Sequence, residues 1–345
     1  MADHKTGVAI VGLDHWYLGL AAARMTASRP DVELAVVAHH DAQRAEQVAR
    51  EYGAKRWTTD YAEAVQSPDV EIVATACRIS ENARVCIQAA QAGKHIVSSK
   101  PVAMSMAETE AIAAAVTASG VLFLSGETSV RLSPASQRLA TWIQEGRVGK
   151  PISALVIHRA PLPTQQWPGQ FGPTWWTDPA HATAGGWLDH AIYHIDHLRS
   201  LFGEIDRVSG EVATLMHPDV QLEDFGVATY RFQSGAIAVL EVTWTGTYEA
   251  SYWSRHIVGT RGQIVEDPTL LQRTAVNGDF GPLPGWLLGL PAQSDLATLQ
   301  RPIDVLIDCV RHGSPPPAGI DDVLKNMKAG LAFYEAAREG RSVSL

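Results

Sequence analysis

Along the first third of the chain, short apolar runs alternate with longer stretches in which apolar residues recur every three or four positions. "VAIVG" (Val8–Gly12) precedes a helical pattern over Leu18–Ser28, and "LAVVA" (Leu34–Ala38) precedes "DAQRAEQVAREYG". In the latter, Asp41 is placed to cap the helix N-terminus and Gly53 to end it. "VEIVATA" leads into "SENARVCIQAAQAG", "HIVSS" into the Ala-rich "SMAETEAIAAAVTASG", and "VLFLSG" closes the series. Buried strands alternating with helices of this length predict βαβ units, and therefore a doubly wound parallel sheet.

From Ile152 the period changes to two. "ISALVIHRA", "VSGEVATLM", "GVATYRFQSGAIAVLEVTWTG" and "YWSRHIVGTRGQIVED" read as strands, with "QSG" as a hairpin turn. Successive strands predict a mainly antiparallel open sheet, so the second part is expected to be an α+β domain. It also carries the tryptophan- and proline-rich "PTQQWPGQFGPTWWTDP", the helix "GGWLDHAIYHIDHLRSLFG" and a final amphipathic helix, "DDVLKNMKAGLAFYEAAREG". The predicted division is residues 1–125, a nucleotide-binding α/β domain, and residues 126–345, a substrate and oligomerisation domain. The last helix is available to pack back on the first domain.

Composition narrows the function classes. The chain has 345 residues and a net charge of −9 with no basic block, which argues against a nucleic-acid partner. No apolar run is long enough for a membrane span, and "MADHKTG" lacks the apolar core of a secretory signal. The 3 cysteines, Cys77, Cys86 and Cys309, are scattered, so a reducing cytoplasm is expected and neither a disulfide framework nor a zinc site is.

Three segments hold candidate chemistry. The first is the turn after Val8–Val11: Gly12 is present, but Asp14 and Tyr17 stand where a dinucleotide-binding turn carries its second and third glycines. The second is Lys100, directly after the strand "HIVSS", at the carboxyl end where open α/β sheets bind ligands. The third is the helix with Asp189 and Tyr193 four apart on one face and a line of His190, His194 and His197 on another. A histidine pair at this spacing fits a metal as well as a packed interface, and Asp189 with Tyr193 or His194 fits proton transfer. Trp167, Trp175 and Trp176 fit either a hydrophobic plug or a platform for the apolar face of a sugar.

The chain resembles the Gfo/Idh/MocA family of NAD(P)-dependent sugar and polyol oxidoreductases. The matching segments, in order, are "AGKHIVSSKPVAMS", "VRLSPASQRLATWIQEGRVGKP", "WWTDPAHATAGGWLDHAIYHIDHLRSLFG", "LEDFGVATYRFQSGAIAVLEVTW" and "AAREGRSVSL". The resemblance implies a Rossmann domain, a C-terminal sheet domain and hydride transfer to or from a secondary alcohol or ketone of a sugar, inositol or related polyol. It implies Lys100, Asp189 and Tyr193 as catalytic and substrate-contacting residues. Tyr193 takes the place of the family histidine, and His194 stands beside it as a second candidate for the proton. From the aromatic loop itself, Trp175 and Trp176 are the further candidate substrate contacts. Implied cofactor contacts are Gly12, Asp14, His15 and Trp16 at the turn, His39 after the second strand, Thr75, Ala76 and Cys77 after the third apolar run, and Lys100. Two departures stand out: Ser99 replaces the glutamate before the lysine, and His39 replaces the acidic ribose-binding residue, leaving NAD against NADP open. A homo-oligomer, dimer or tetramer, is expected, with no metal. Two rival readings are a cofactor-retaining oxidation–elimination enzyme on glycosides and a non-catalytic sensor of nucleotide or sugar.

Overall fold

A computed structural model describes residues 4–247, 250–267, 278–279, 286–290 and 296–345. The chain divides into two compact units, one made of Met1–Ser129, Thr164–Thr183 and Asp295–Met327, the other of Val130–Pro163, Ala184–Ser294 and Lys328–Leu345.

In the first unit β1 (Thr6–Val11), α1 (Trp16–Ser28), β2 (Val32–Ala38), α2 (Ala42–Tyr52), β3 (Arg56–Thr58) and α3 (Tyr61–Gln66) are followed by β4 (Ile72–Thr75), α4 (Ile79–Gln91), β5 (His95–Ser98), α5 (Met106–Ser119) and β6 (Phe123–Ser125). The six strands form one parallel sheet in the order β3-β2-β1-β4-β5-β6, the doubly wound sheet that the alternating pattern predicted, with the short β3 and α3 added to the elements it named. The strand order reverses between β1 and β4, so their carboxyl ends bound the crevice where such sheets bind ligands.

Local chemistry explains the element ends. Asp41 caps α2 by accepting from the amides of Gln43 and Arg44, and Gly53 ends it in the left-handed conformation. Gly12 has φ of +85°, and a Cβ there would lie 2.6 Å from the Cys77 amide nitrogen, so the first turn needs glycine at this point.

The second unit begins with α6 (Pro134–Gln144) and β7 (Pro151–Pro161). Between them and α7 (Gly186–Phe202) lie the short strands β8 (Gln165–Trp167) and β9 (Gln170–Phe171), which belong to the first unit. Then come β10 (Ile205–Ala213), β11 (Phe225–Phe232), β12 (Ile237–Gly246), β13 (Tyr252–Gly259), β14 (Gly262–Glu266), β15 (Gly278–Asp279) and β16 (Trp286–Leu290). Helices α8 (Leu296–His312) and α9 (Ile320–Glu339) and strand β17 (Val343–Ser344) complete the chain. The nine-stranded sheet has the order β15-β16-β14-β13-β7-β12-β11-β10-β17 and is mainly antiparallel, with β7–β12 and β14–β16 parallel. Helix α7 packs on this sheet, and Trp187 stacks on Phe333 of α9 at 3.8 Å between ring centroids.

Two parts of the predicted division change. The tryptophan-rich segment and α8, both placed after residue 125 in sequence and so expected in the second domain, belong to the first unit. The reason is packing: Ile303, Leu306 and Ile307 of α8 and Trp167 are buried in the same core as Val8, Ile10, Leu34 and Ile72. The division also falls within α9, between Met327 and Lys328.

Candidate active site

In the first unit the residues of the altered turn gather at the carboxyl end of β1. The amide of His15 donates to the carbonyl of Ala76, and that of Ala76 to Val11, which ties the loop after β4 to the turn. Cys77 is buried, with its Sγ 3.2 Å from the Val11 carbonyl, and burial pushes its thiol well up, so it is an inert packing group. Thr75 donates to Asn82 and accepts from the amide of Ser99, fixing the backbone just before Lys100. Lys100 follows β5 and has no exposed surface.

Asp14 is nearly buried, and its charge has a partner. Its Oδ1 accepts from Arg78 Nε at 2.9 Å, while Oδ2 has no hydrogen-bond partner and lies 3.9 Å from His39 Nδ1 and 3.8 Å from His40 Nδ1. The carboxylate that replaces a glycine is thus neutralised by the residue preceding α4. His39 is fully buried. Its Nδ1 accepts from the Leu13 amide at 3.3 Å, and burial lowers its pKa to about 4, so the ring is neutral at physiological pH.

The tryptophan-rich segment covers the same turn. Trp175 Nε1 donates to the Asp14 carbonyl at 3.0 Å and Trp16 Nε1 to the Gln165 carbonyl at 3.0 Å. Trp175 and Trp176 stack at 4.4 Å, His15 lies edge-on to both, and its Nε2 is 2.7 Å from the Tyr17 hydroxyl. Asp14, His40, Arg44, Arg78, Trp175 and Trp176 are among the residues lining a cavity of about 290 Å³. Arginines, aromatic faces and a helix N-terminus at a topological switch point fit a dinucleotide, whose phosphates need cations and backbone amides and whose bases need flat apolar walls. His40, Arg44 and Arg78 carried no signal as site residues in the sequence. His40 was visible only as the second histidine of a pair, and Arg78 answers a charge 64 positions away.

Among the described residues, Asp14, His39 and His40 form the group spaced to hold a metal, all three donors lying within 4.8 Å. Asp14 Oδ1 and His39 Nδ1 are already engaged by Arg78 and Leu13. The line of His190, His194 and His197 does not form such a group.

The remaining candidates lie in the second unit, apart from Lys100 in the chain's division. Asp189 sits in the first turn of α7, where the helix dipole favours a carboxylate, and Tyr193 is buried one turn on. His194 is buried, its Nε2 3.0 Å from His158 Nδ1, and burial together with the Arg255 cation and His190 holds its pKa well below the ordinary range. It is a neutral, packed imidazole rather than a free base. His158, on β7, was not singled out in the sequence, because its partner is contributed by another element.

Family comparison agrees with the two-part architecture. Residues 6–127 match the model of the oxidoreductase family with an NAD-binding Rossmann fold, and residues 136–265 match the GFO/IDH/MocA C-terminal domain. The chain belongs to the GFO/IDH/MocA family. It is an oxidoreductase with a nicotinamide-dinucleotide-binding Rossmann domain. A scyllo-inositol 2-dehydrogenase (NAD(+)) of Bacillus subtilis is 29% identical over 359 residues, covering 99% of this chain and 97% of that protein. A levoglucosan dehydrogenase of Pseudarthrobacter phenanthrenivorans is 26% identical over 67% of this chain and 64% of its own length. Among solved structures, an aldose–aldose oxidoreductase from Caulobacter crescentus complexed with glycerol has a TM-score of 0.82 at 26% identity, covering 99% of this chain and 100% of that one. A levoglucosan dehydrogenase with NADH and levoglucosan has a TM-score of 0.84 at 23% identity, covering 99% of each chain, and supports the shared fold.

Proposed function

We propose that this chain is an NAD(P)-dependent dehydrogenase or reductase acting on a secondary alcohol or ketone of a sugar, inositol or related polyol. The observation that carries the reading is a lysine with no exposed surface, Lys100, at the carboxyl end of β5 in a nicotinamide-dinucleotide-binding sheet. Burying an ammonium is costly, and a site that holds one at a ligand crevice is a site for charge or proton handling. The relatives named as inositol and sugar dehydrogenases favour hydride transfer over the elimination and sensor readings.

The first unit would hold the cofactor through the Gly12 turn, the segment Thr75–Cys77, His40, Arg44 and Arg78. When bound, the dinucleotide supplies the hydride acceptor or donor. Of the first unit's residues Lys100 would steady a substrate oxygen with its ammonium; of the second unit's, Asp189 would take a hydroxyl proton and Tyr193 would orient a hydroxyl. Trp175 and Trp176 offer an aromatic wall against the apolar side of the ring. The test is calorimetry with NAD and NADP followed by assay on a panel of inositols, aldoses and anhydro-sugars. Lys100→Met is expected to keep dinucleotide affinity within about threefold and to lower turnover at least ~100-fold. Full turnover by Lys100→Met on an identified substrate would remove it from the mechanism. Absence of binding by either dinucleotide would overturn the reading itself.

We also propose that the chain self-associates through the face of its large sheet opposite α7. Leu155 and Ile237 stand there 43% and 40% exposed, with Val239 beside Leu155 in register, an apolar group suited to a second copy.

A further inference from the structure

Helix α7 and strand β7 bring a row of imidazoles to Asp189. His190 and His194 are four apart on α7 and so share a face. On β7 the buried residues are Ala154, Val156 and Ala160, so the period of two puts His158 on their side of the strand. The rings meet accordingly. His158 Nδ1 and His194 Nε2 are 3.0 Å apart, the His158 and His190 centroids are 4.4 Å apart, and His190 Nδ1 is 3.3 Å from Asp189 Oδ2, an ion-pair distance that lacks hydrogen-bond geometry. All of these residues belong to the second unit.

The protonation states follow from burial. His194 Nδ1 is buried with no hydrogen-bond partner. A lone pair left unpaired costs less than an N–H left unpaired, so the single proton of the neutral His194 ring sits on Nε2 and is donated to His158 Nδ1. That bond occupies the lone pair on which His158 would otherwise accept a proton. The charged and titratable groups around the row include Asp189 and His194 on the same helix, His158 from β7 and Arg255 from β13 beyond His194. The side chain of Asp189 is 9% exposed, so it exchanges poorly with water, whereas that of His190 is 22% exposed.

We propose that His190 is a proton relay between Asp189 and water, and that His158, locked by its hydrogen bond from His194, packs against the His190 ring and keeps it beside Asp189. This rests on the dehydrogenase reading above. In the oxidation direction the substrate O–H bond breaks and its proton goes to Asp189, while the hydride with its electron pair leaves carbon for the nicotinamide dinucleotide. A turn of the His190 ring then brings Nδ1 into line with Asp189 Oδ2, the proton passes between them, and the imidazolium gives a proton to water. Reduction runs the same steps backwards. His190 and His158 are positioning and relay residues, since neither needs to touch the substrate.

The experiment uses the full chain. In a ¹⁵N-histidine NMR titration without substrate, His190 coupled to Asp189 should titrate about one pH unit higher in the wild type than in Asp189→Asn. His190→Phe should lower kcat about 10- to 100-fold with KM and dinucleotide Kd within twofold. It should also raise the solvent deuterium isotope effect on kcat and regain turnover when imidazole is added. His158→Gln should lose less and show no rescue. An unchanged His190 titration in Asp189→Asn would overturn the proposal whatever the activity. So would His190→Phe with full kcat, with a raised KM alone, or with a loss that imidazole does not relieve. Failure of the wild type to turn over any alcohol would sink the function reading instead, and the NMR arm is read independently of it.

Discussion

His39 shows how one substitution changes the chemistry of a turn. An acidic residue at the end of β2 would face ribose hydroxyls, but this imidazole is enclosed between Leu13, Asp14 and Tyr61 and accepts a backbone hydrogen bond. Desolvation is the largest influence on its pKa, and the attraction of Asp14 offsets it only in part. Its folded value, about 4, lies below the unfolded value of 6.5. The unfolded chain therefore binds the extra proton first as pH falls, and His39 removes stability progressively from about pH 6.5 down to about pH 4. The full span corresponds to about 3 kcal/mol, an upper value because the turn can relax around a charged ring. His39→Gln, which keeps an acceptor for the Leu13 amide, is expected to flatten this limb in urea melts between pH 7 and pH 4. An equally steep limb in the variant would assign the acid sensitivity elsewhere. With His39 turned inward, His40, about half exposed, and Asp41 after β2, together with Arg44 of α2, are the side chains from this part of the chain that line the cavity.

At the scale of elements, the sequence was most legible where chemistry is local. Asp41 and Gly53 announced both ends of α2, and "QSG" announced the β11–β12 hairpin, because a cap or a tight turn is decided within a few residues. Helix α8 was not read, since Pro302 interrupts its apolar period and the residues it packs on lie far back in the chain. The site divides in the same way. Lys100 and Asp189 could be placed from strand ends and helix spacing, whereas Arg78 with Asp14 and His158 with His194 are pairs made only by tertiary packing. A third such pair is Arg255 of β13 with Glu266 of β14, both buried, at 2.6 Å. Removing one partner leaves an uncompensated buried charge, which typically costs 3–5 kcal/mol, about that much being expected for Glu266→Ala by denaturant unfolding. Arg255→Met combined with Glu266→Leu should recover most of the loss. A double variant no more stable than Glu266→Ala would show that packing, not charge, dominates there. Because Arg255 also helps hold His194 neutral, losing it would reach α7 as well.

For the whole molecule, the question is what covers the large sheet. One face of β7, β12 and β11 is occupied by α7, so alternate residues are buried: Val156 and Ala154 on β7, Leu240 and Val242 on β12. The residues between them, Leu155, Val239 and Ile237, point the other way, and register places Leu155 opposite Val239 and Ser153 opposite Ile237. The result is a contiguous apolar strip across two adjacent, parallel strands, bordered by the Arg159–Glu241 ion pair. A central pair of strands cannot be blunted as an edge can, so an apolar strip there is best relieved by a face-to-face partner. Closed two-fold symmetry suits it, because the same strip then serves both copies and a charge introduced once is introduced twice. If the proposed interface forms, Leu155→Glu is expected to yield a species smaller than the wild type in light scattering, with dinucleotide affinity within about threefold. Since Leu155 lies on the face away from α7, its replacement leaves the row of Asp189, His190 and His158 in place. A wild type that is monomeric at micromolar concentration would reject the interface, as would an unaltered oligomer in Leu155→Glu, since a carboxylate on each copy's strip could not be buried against the other.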